Sequence, residues 1–192
     1  PAYVDAASEA LIHMFEEYSA PGSGLFMFGH HMTIDLEHDR AYSDGRSGDI
    51  FELGSVFPFY EFWHSVDPQK TEQFIKGSWE AFVRDWNTMH YNRHASFHKQ
   101  VKFSQTWERP MLPVKNLPEK MEVLGFLGVG LDLAQSGYYL GCLRNDAKPR
   151  TWAERYYEVL SYHRDPKTKI WPMLLYTPSI RRNLEAYWED FP

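Results

Sequence analysis

Val4, Ala7, Leu11, Met14, Phe15 and Tyr18 recur at helical spacing and predict one amphipathic helix, punctuated at its end by Pro21-Gly22-Ser23-Gly24. Leu25 to Phe28 and Met32 to Leu36 are short apolar or alternating runs. They predict extended structure, a hairpin closed by Asp44-Gly45. Pro58 fits the first turn of a helix running to about Val66, because a proline in mid-helix costs about 3 kcal/mol. Asp67-Pro68 then reads as an N-cap followed by proline at the first helical position, ahead of the apolar stripe Ile75, Trp79, Phe82, Val83 and Trp86. Beyond Pro110, Pro113 and Pro118, the run Met121 to Leu143 has helical spacing interrupted by Gly125, Gly128, Gly130 and Gly137, which close helix packing would explain. Thr151-Trp152-Ala153-Glu154 matches a capping box, with Tyr156, Tyr157, Leu160 and Tyr162 on a helix ending near Asp165-Pro166. A last helix is expected from Pro178-Ser179.

Helices paired by short loops, with extended segments between some pairs, predict a mainly α chain of the α/α barrel or toroid kind rather than a compact bundle. A helical hairpin with its loops takes on the order of 40 residues. This chain of 192 residues therefore supplies fewer hairpins than a closed toroid of six or seven. Residues 1–192 are expected to form a single segment of such a domain, with no internal boundary, cut from a longer protein.

Composition narrows the partners. With 43% hydrophobic residues the chain can bury a sizeable core. Its 20 Lys and Arg against 26 Asp and Glu give a formal charge of -6, so there is no basic field for nucleic acid. An acidic ligand would have to be held by a local cluster of Arg, Lys or metal, since only short-range cations outweigh the net charge through salt. Cys142 stands alone and can form no internal disulfide. No apolar run approaches the roughly 20 residues that span a bilayer, so no membrane partner is expected.

The chain has no H-E-x-x-H, C-x-x-C, G-x-G-x-x-G or P-loop. Three clusters stand at element boundaries, where binding groups concentrate: Gly29-His30-His31, Glu52 within Gly48 to Gly54, and Tyr91-Asn92-Arg93-His94. Two imidazoles and a carboxylate make an open metal site that leaves positions for water or substrate oxygen. With nine histidines, the residues alone leave open which two would serve. Trp63, Trp79, Trp86, Trp107 and Trp152 could stack on sugar rings, but their spacing is that of core residues.

In order and spacing, Gly29-His30-His31, Phe51-Glu52-Leu53 and Tyr91-Asn92-Arg93-His94 resemble the metal and catalytic region of the family 2 pectate lyases, over roughly the first half of the chain. The resemblance implies His31, Glu52 and His94 as metal ligands and Arg93 as the Brønsted base. It also implies an (α/α)7 barrel and cleavage of polygalacturonate or oligogalacturonides by β-elimination. The implied cofactor is a divalent ion, Mn2+ first, with Co2+, Ni2+ or Ca2+ as alternatives. Relatives of this kind occur in periplasm and cytoplasm, and the periplasm is favoured. A second arginine would lie farther along, with Arg181 and Arg182 as candidates.

The chemistry asks for such a set, since removing the C5 proton of a uronate becomes feasible once the adjacent carboxylate is neutralised. Arginine ordinarily stays protonated far above neutral pH, so this base predicts a rate rising towards alkaline pH. Taken without the family, Arg93 reads more readily as a structural or substrate-clamping residue. Two other readings compete. One is a glycoside hydrolase on a six-hairpin toroid, with two carboxylates drawn from Asp35, Glu37, Asp44, Asp49 and Glu52. The other is a non-catalytic carbohydrate-binding domain. An iron oxygenase lacks its usual tight His-x-Asp or His-x-Glu spacing here.

Overall fold

The computed structural model describes residues 2–27, 32–42, 50–52, 58–113, 125–162, 164–171 and 174–175, with the backbone alone at 50–52, 125–126 and 174–175. Among these, helices dominate: α1 (Ala2–Glu17), α2 (Tyr60–Val66), α3 (Pro68–Phe82), α4 (Leu127–Arg144) and α5 (Ala147–Ser161). Short antiparallel pairs are inserted between them. β1 (Thr33–Asp35) pairs with β2 (Arg40–Tyr42), and β3 (Ile50–Glu52) with β6 (His94–Ser96). β4 (Val83–Asp85) pairs with β5 (His90–Tyr91), and β7 (Gly125–Phe126) with β8 (Leu174–Leu175). The mainly helical expectation holds.

Asp67 caps α3 as its sequence predicts, accepting the Lys70 N–H at 2.8 Å, with Pro68 in the first turn. It also ends α2, so the two helices are separated by one residue. α4 and α5 form a tight hairpin through Asn145, at φ 51°, and Asp146. The N-cap of α5 is Asp146, which accepts from the Lys148 N–H at 2.9 Å, and not Thr151. Thr151 lies a turn inside the helix and donates to the Ala147 carbonyl. A capping-box pattern there loses to an aspartate five residues earlier that caps the first free N–H groups of the helix.

The first described hairpin turns at residues that the sequence did not single out. β1 and β2 reverse at Leu36 to Asp39, where the Asp35 carboxylate accepts from the Glu37 and His38 N–H groups, each at 3.2 Å, and Asp39 adopts φ 50°. Asp44-Gly45 lies outside the described residues. So does the expected helix from Pro178. In α1 the apolar stripe is buried only in its second half, at Leu11 and Phe15, while Val4 is exposed.

The core forms where α3, α4 and α5 meet. Trp79 is fully buried, with Trp107 at 5.0 Å and Tyr156 at 5.5 Å between ring centres, and its indole N–H donates to Ser136 Oγ at 3.1 Å. A Cβ at Gly137 would lie 2.8 Å from the Trp79 ring, and one at Gly130 2.8 Å from the Tyr91 hydroxyl. These glycines interrupt the periodicity of α4 because two large rings press against it. The tryptophans named from sequence accordingly serve the core: Trp79, Trp107 and Trp152 are buried, Trp86 packs against them, and Trp63 packs against Phe15, Phe26 and Phe74.

At the other side of α3, a Cβ on Gly77 would lie 1.8 Å from the Ser23 carbonyl oxygen. Gly77→Ala would ordinarily stabilise an exposed helix by about 1 kcal/mol. Here it is expected to destabilise by about 1–3 kcal/mol, because backbone has to move. Urea unfolding of the variant checks the sign, and an unchanged or raised midpoint would refute the contact.

The β1–β2 turn is latched onto α1. Asp39 accepts from the Tyr18 hydroxyl and pairs with His13 Nε2 at 3.0 Å. These bonds, Tyr18 first, hold the Asp39 carboxyl below its ordinary 3.8, and the bond to Asp39 raises His13 above 6.5. The Asp39 contribution is present above pH 3.8 and fades as pH falls through its lowered value; the His13 contribution is present below 6.5 and fades as pH rises through its raised one. The latch is therefore fullest between these limits. Melting temperature followed against pH should show a small loss from pH 6 to 8 that Asp39→Asn removes.

Candidate functional site

The stretch from Phe82 to Phe97 builds the site. Leaving α3, the chain runs out along β4 and turns through Asp85, which accepts the Asn87 N–H at 2.8 Å. Met89 then adopts φ 55°. It returns along β5, with Val83 opposite Tyr91, and the Asn92 N–H donates back to the Phe82 carbonyl at 2.9 Å. A bend at Arg93 redirects it into β6, which pairs not with its neighbour but with distant β3.

The register of that pair is the central observation. Ser96 faces Ile50, Ala95 faces Phe51, and His94 faces Glu52. Two residues expected to share a metal, 42 positions apart in sequence, are thus directly opposed in one ladder, and directly opposed residues occupy the same face of the pair. His94 is half-buried with its Nε2 in the interior. Its peptide groups are held from both sides: its N–H donates to Asn92 Oδ1 at 2.9 Å, and its carbonyl accepts from Arg84 Nη2 at 2.8 Å.

Arg93 is half-buried, and its Nε also lies away from solvent. Because it occupies the bend before β6, the strict alternation that sends strand neighbours to opposite faces does not govern Arg93 and His94. His31 lies outside the described residues. The residues that flank its segment are anchored: the Met27 N–H donates to the Tyr18 carbonyl at 2.6 Å, and Met32 is buried. Arg181 and Arg182 are also outside the described residues.

Of the three expected metal ligands only His94 has a described side chain, and among the described side chains no three His, Cys, Asp or Glu groups converge. What the described backbone shows is an imidazole-bearing residue paired in register with a carboxylate-bearing one. That donor chemistry suits manganese, cobalt, nickel or zinc better than calcium. The carboxylates of the hydrolase reading fare differently. Against a desolvation that would raise it, bonds from His38, from two N–H groups and from Arg40 hold Asp35 below its ordinary range at a surface turn.

Residues that the sequence did not single out surround the site. Glu80, nearly buried, takes both Nη atoms of Arg109 at 2.6 and 2.7 Å, while the Arg109 guanidinium lies 4.2 Å from the Trp86 ring centre. Lys99 donates to the Glu80 carbonyl. Burial, with the nearby charges of Arg84 and Arg109 opposing Glu80, pulls the Lys99 amine below its ordinary value. The available sequence signal was charge: no Asp or Glu occurs between Asp85 and Glu108, in a chain that is acidic overall. Two cavities lie elsewhere, about 320 Å³ between α4 and α5 beside Tyr138 and Tyr157, and about 540 Å³ beside Tyr60 and Tyr139. Neither is lined by His94 or Arg93.

A family model described as periplasmic pectate lyase matches residues 1–185, well beyond the first half of the chain in which the resemblance was recognised. The chain is 30% identical over 165 residues to the pectate disaccharide-lyase of Dickeya dadantii (strain 3937), an alignment covering 83% of this chain. It spans about 30% of that relative's length. A match over nearly all of its residues shows that the chain belongs to the periplasmic pectate lyase family.

Proposed function

We propose that this chain carries the metal-binding and proton-abstracting part of a periplasmic pectate lyase that cleaves α-1,4-linked polygalacturonate or oligogalacturonides by β-elimination. The observation that carries the reading is the opposition of Glu52 and His94 in the β3–β6 ladder with Arg93 beside them. Residues 1–192 are taken as one segment of an (α/α)7 barrel, to which the α2–α3 and α4–α5 pairs would contribute.

His31, Glu52 and His94 would hold a divalent cation, Mn2+ first. When bound, that ion supplies positive charge against the uronate carboxylate and so lowers the cost of charge developing at C5. Arg93, as the neutral guanidine, takes the C5 proton. The electron pair left by the C5–H bond forms the C4–C5 double bond as the C4–O bond breaks, and the leaving oxygen takes a proton from solvent. Asn92 and Arg84 hold the His94 peptide in place while this occurs. The product carries a double bond conjugated with its carboxylate, which a hydrolase product lacks.

His94→Ala should weaken Mn2+ binding by at least about 10-fold in calorimetry with the metal alone, with the helical circular dichroism unchanged. Metal affinity equal to that of the wild type would exclude His94 as a ligand.

Arg93→Ala should abolish the ultraviolet absorbance that accompanies cleavage of polygalacturonate while sparing Mn2+ affinity, because base and Lewis acid are separate groups. The wild-type rate should climb between about pH 7 and 10. A flat profile would retain the lyase and remove Arg93 as its base, whereas reducing ends formed without absorbance would favour hydrolysis.

A further inference from the structure

Arg84 and Lys99 are both oriented by backbone carbonyls. Arg84, exposed on β4, gives one of its guanidinium N–H groups to the His94 carbonyl at 2.8 Å. Lys99, just past β6, gives one to the Glu80 carbonyl. Glu80 itself is occupied by both Nη atoms of Arg109. Among the described residues neither Arg84 nor Lys99 has a carboxylate within ion-pair distance; the Glu80 charge acts on Lys99 more strongly than that of Arg84, but its carboxylate is shared with Arg109. Carbonyl oxygens fix the direction of a cation but leave its charge and remaining N–H donors unspent: four on the guanidinium and two on the ammonium. Cations in one neighbourhood repel each other, and an anion held there relieves that repulsion.

Position gives the pair its meaning. Arg84 touches the backbone of His94, so the cations border the ladder that opposes His94 and Glu52. The whole passage between Asp85 and Glu108 is free of carboxylates, whereas the chain carries a formal charge of -6. A polymer bearing one carboxylate per sugar needs a local cation for each sugar that the protein holds, because the net charge repels it.

We propose that Arg84 and Lys99 form a second anion subsite beside the candidate metal centre, taking the carboxylate of a uronate next to the one undergoing elimination. The subsite rests on the lyase reading above and extends it to substrate length: two adjacent uronates are engaged, one at each site.

The test uses the manganese-loaded protein and polygalacturonate, with elimination followed by absorbance. Lys99→Gln should raise KM about tenfold or more, the loss of one charge-assisted bond, with kcat within about twofold and Mn2+ affinity unchanged. Lys99→Arg should restore most of the loss. Because Arg84 also supports His94, Arg84→Gln is expected to alter metal affinity as well, and Lys99 is the deciding position. A measurement on the unmodified chain keeps the test independent of folding: trigalacturonate should slow acylation of Lys99 by an amine-selective reagent, and neutral galactotriose should not. An unmoved KM in Lys99→Gln, or equal labelling with and without trigalacturonate, overturns the subsite while wild-type elimination leaves the lyase reading standing. Absence of elimination by the wild type overturns both.

Discussion

Gly77 of α3 has no Cβ, and on that vacancy the Ser23 carbonyl rests. Ser23 is fully buried, and its hydroxyl donates to the Phe97 carbonyl at 2.6 Å, immediately past β6. One close approach therefore joins the turn after α1, the middle of α3 and the end of the strand that carries His94. The proposed site draws on three sequence-distant segments, and it needs such a junction to be set with ångström accuracy. The α3–α4–α5 core holds α3 from its other side through Trp79. The ladder between β3 and β6 thus hangs from a helix fixed on both faces.

Charge is arranged around that frame with opposite purposes. The Glu80–Arg109 pair is bidentate, stacked on Trp86 and removed from much of the solvent, so it satisfies its own charges and serves the fold. Arg84 and Lys99 end on carbonyls and not on carboxylates. The acid-free passage from Trp86 to Trp107 is where a chain of net charge -6 could receive the acidic polymer of the proposed function.

Much of the scaffold was legible in the sequence because local chemistry decided it. Asp67-Pro68 starts α3 as its capping chemistry requires, and the tryptophan spacing marked the core correctly. The misplacements also have physical causes. Thr151 satisfied a capping pattern, but Asp146 reached the free N–H groups first. The reversal at Leu36 to Asp39 was not marked by turn chemistry, because the Asp35 carboxylate and the latch of Asp39 to α1 fix it. The pairing of Glu52 with His94 was approachable only through family spacing, because no local signal joins residues 42 positions apart. Arg84 and Asn92 act through the backbone of His94, a role that residue type does not announce.

The central claim is that the β3–β6 register makes one cation site from Glu52 and His94. Crystals soaked in Mn2+ and measured at the manganese absorption edge test it directly. The account requires an anomalous peak within about 2.0–2.3 Å of a carboxylate oxygen of Glu52 and an imidazole nitrogen of His94. A peak bound elsewhere, or none at a concentration that supports elimination, would contradict it.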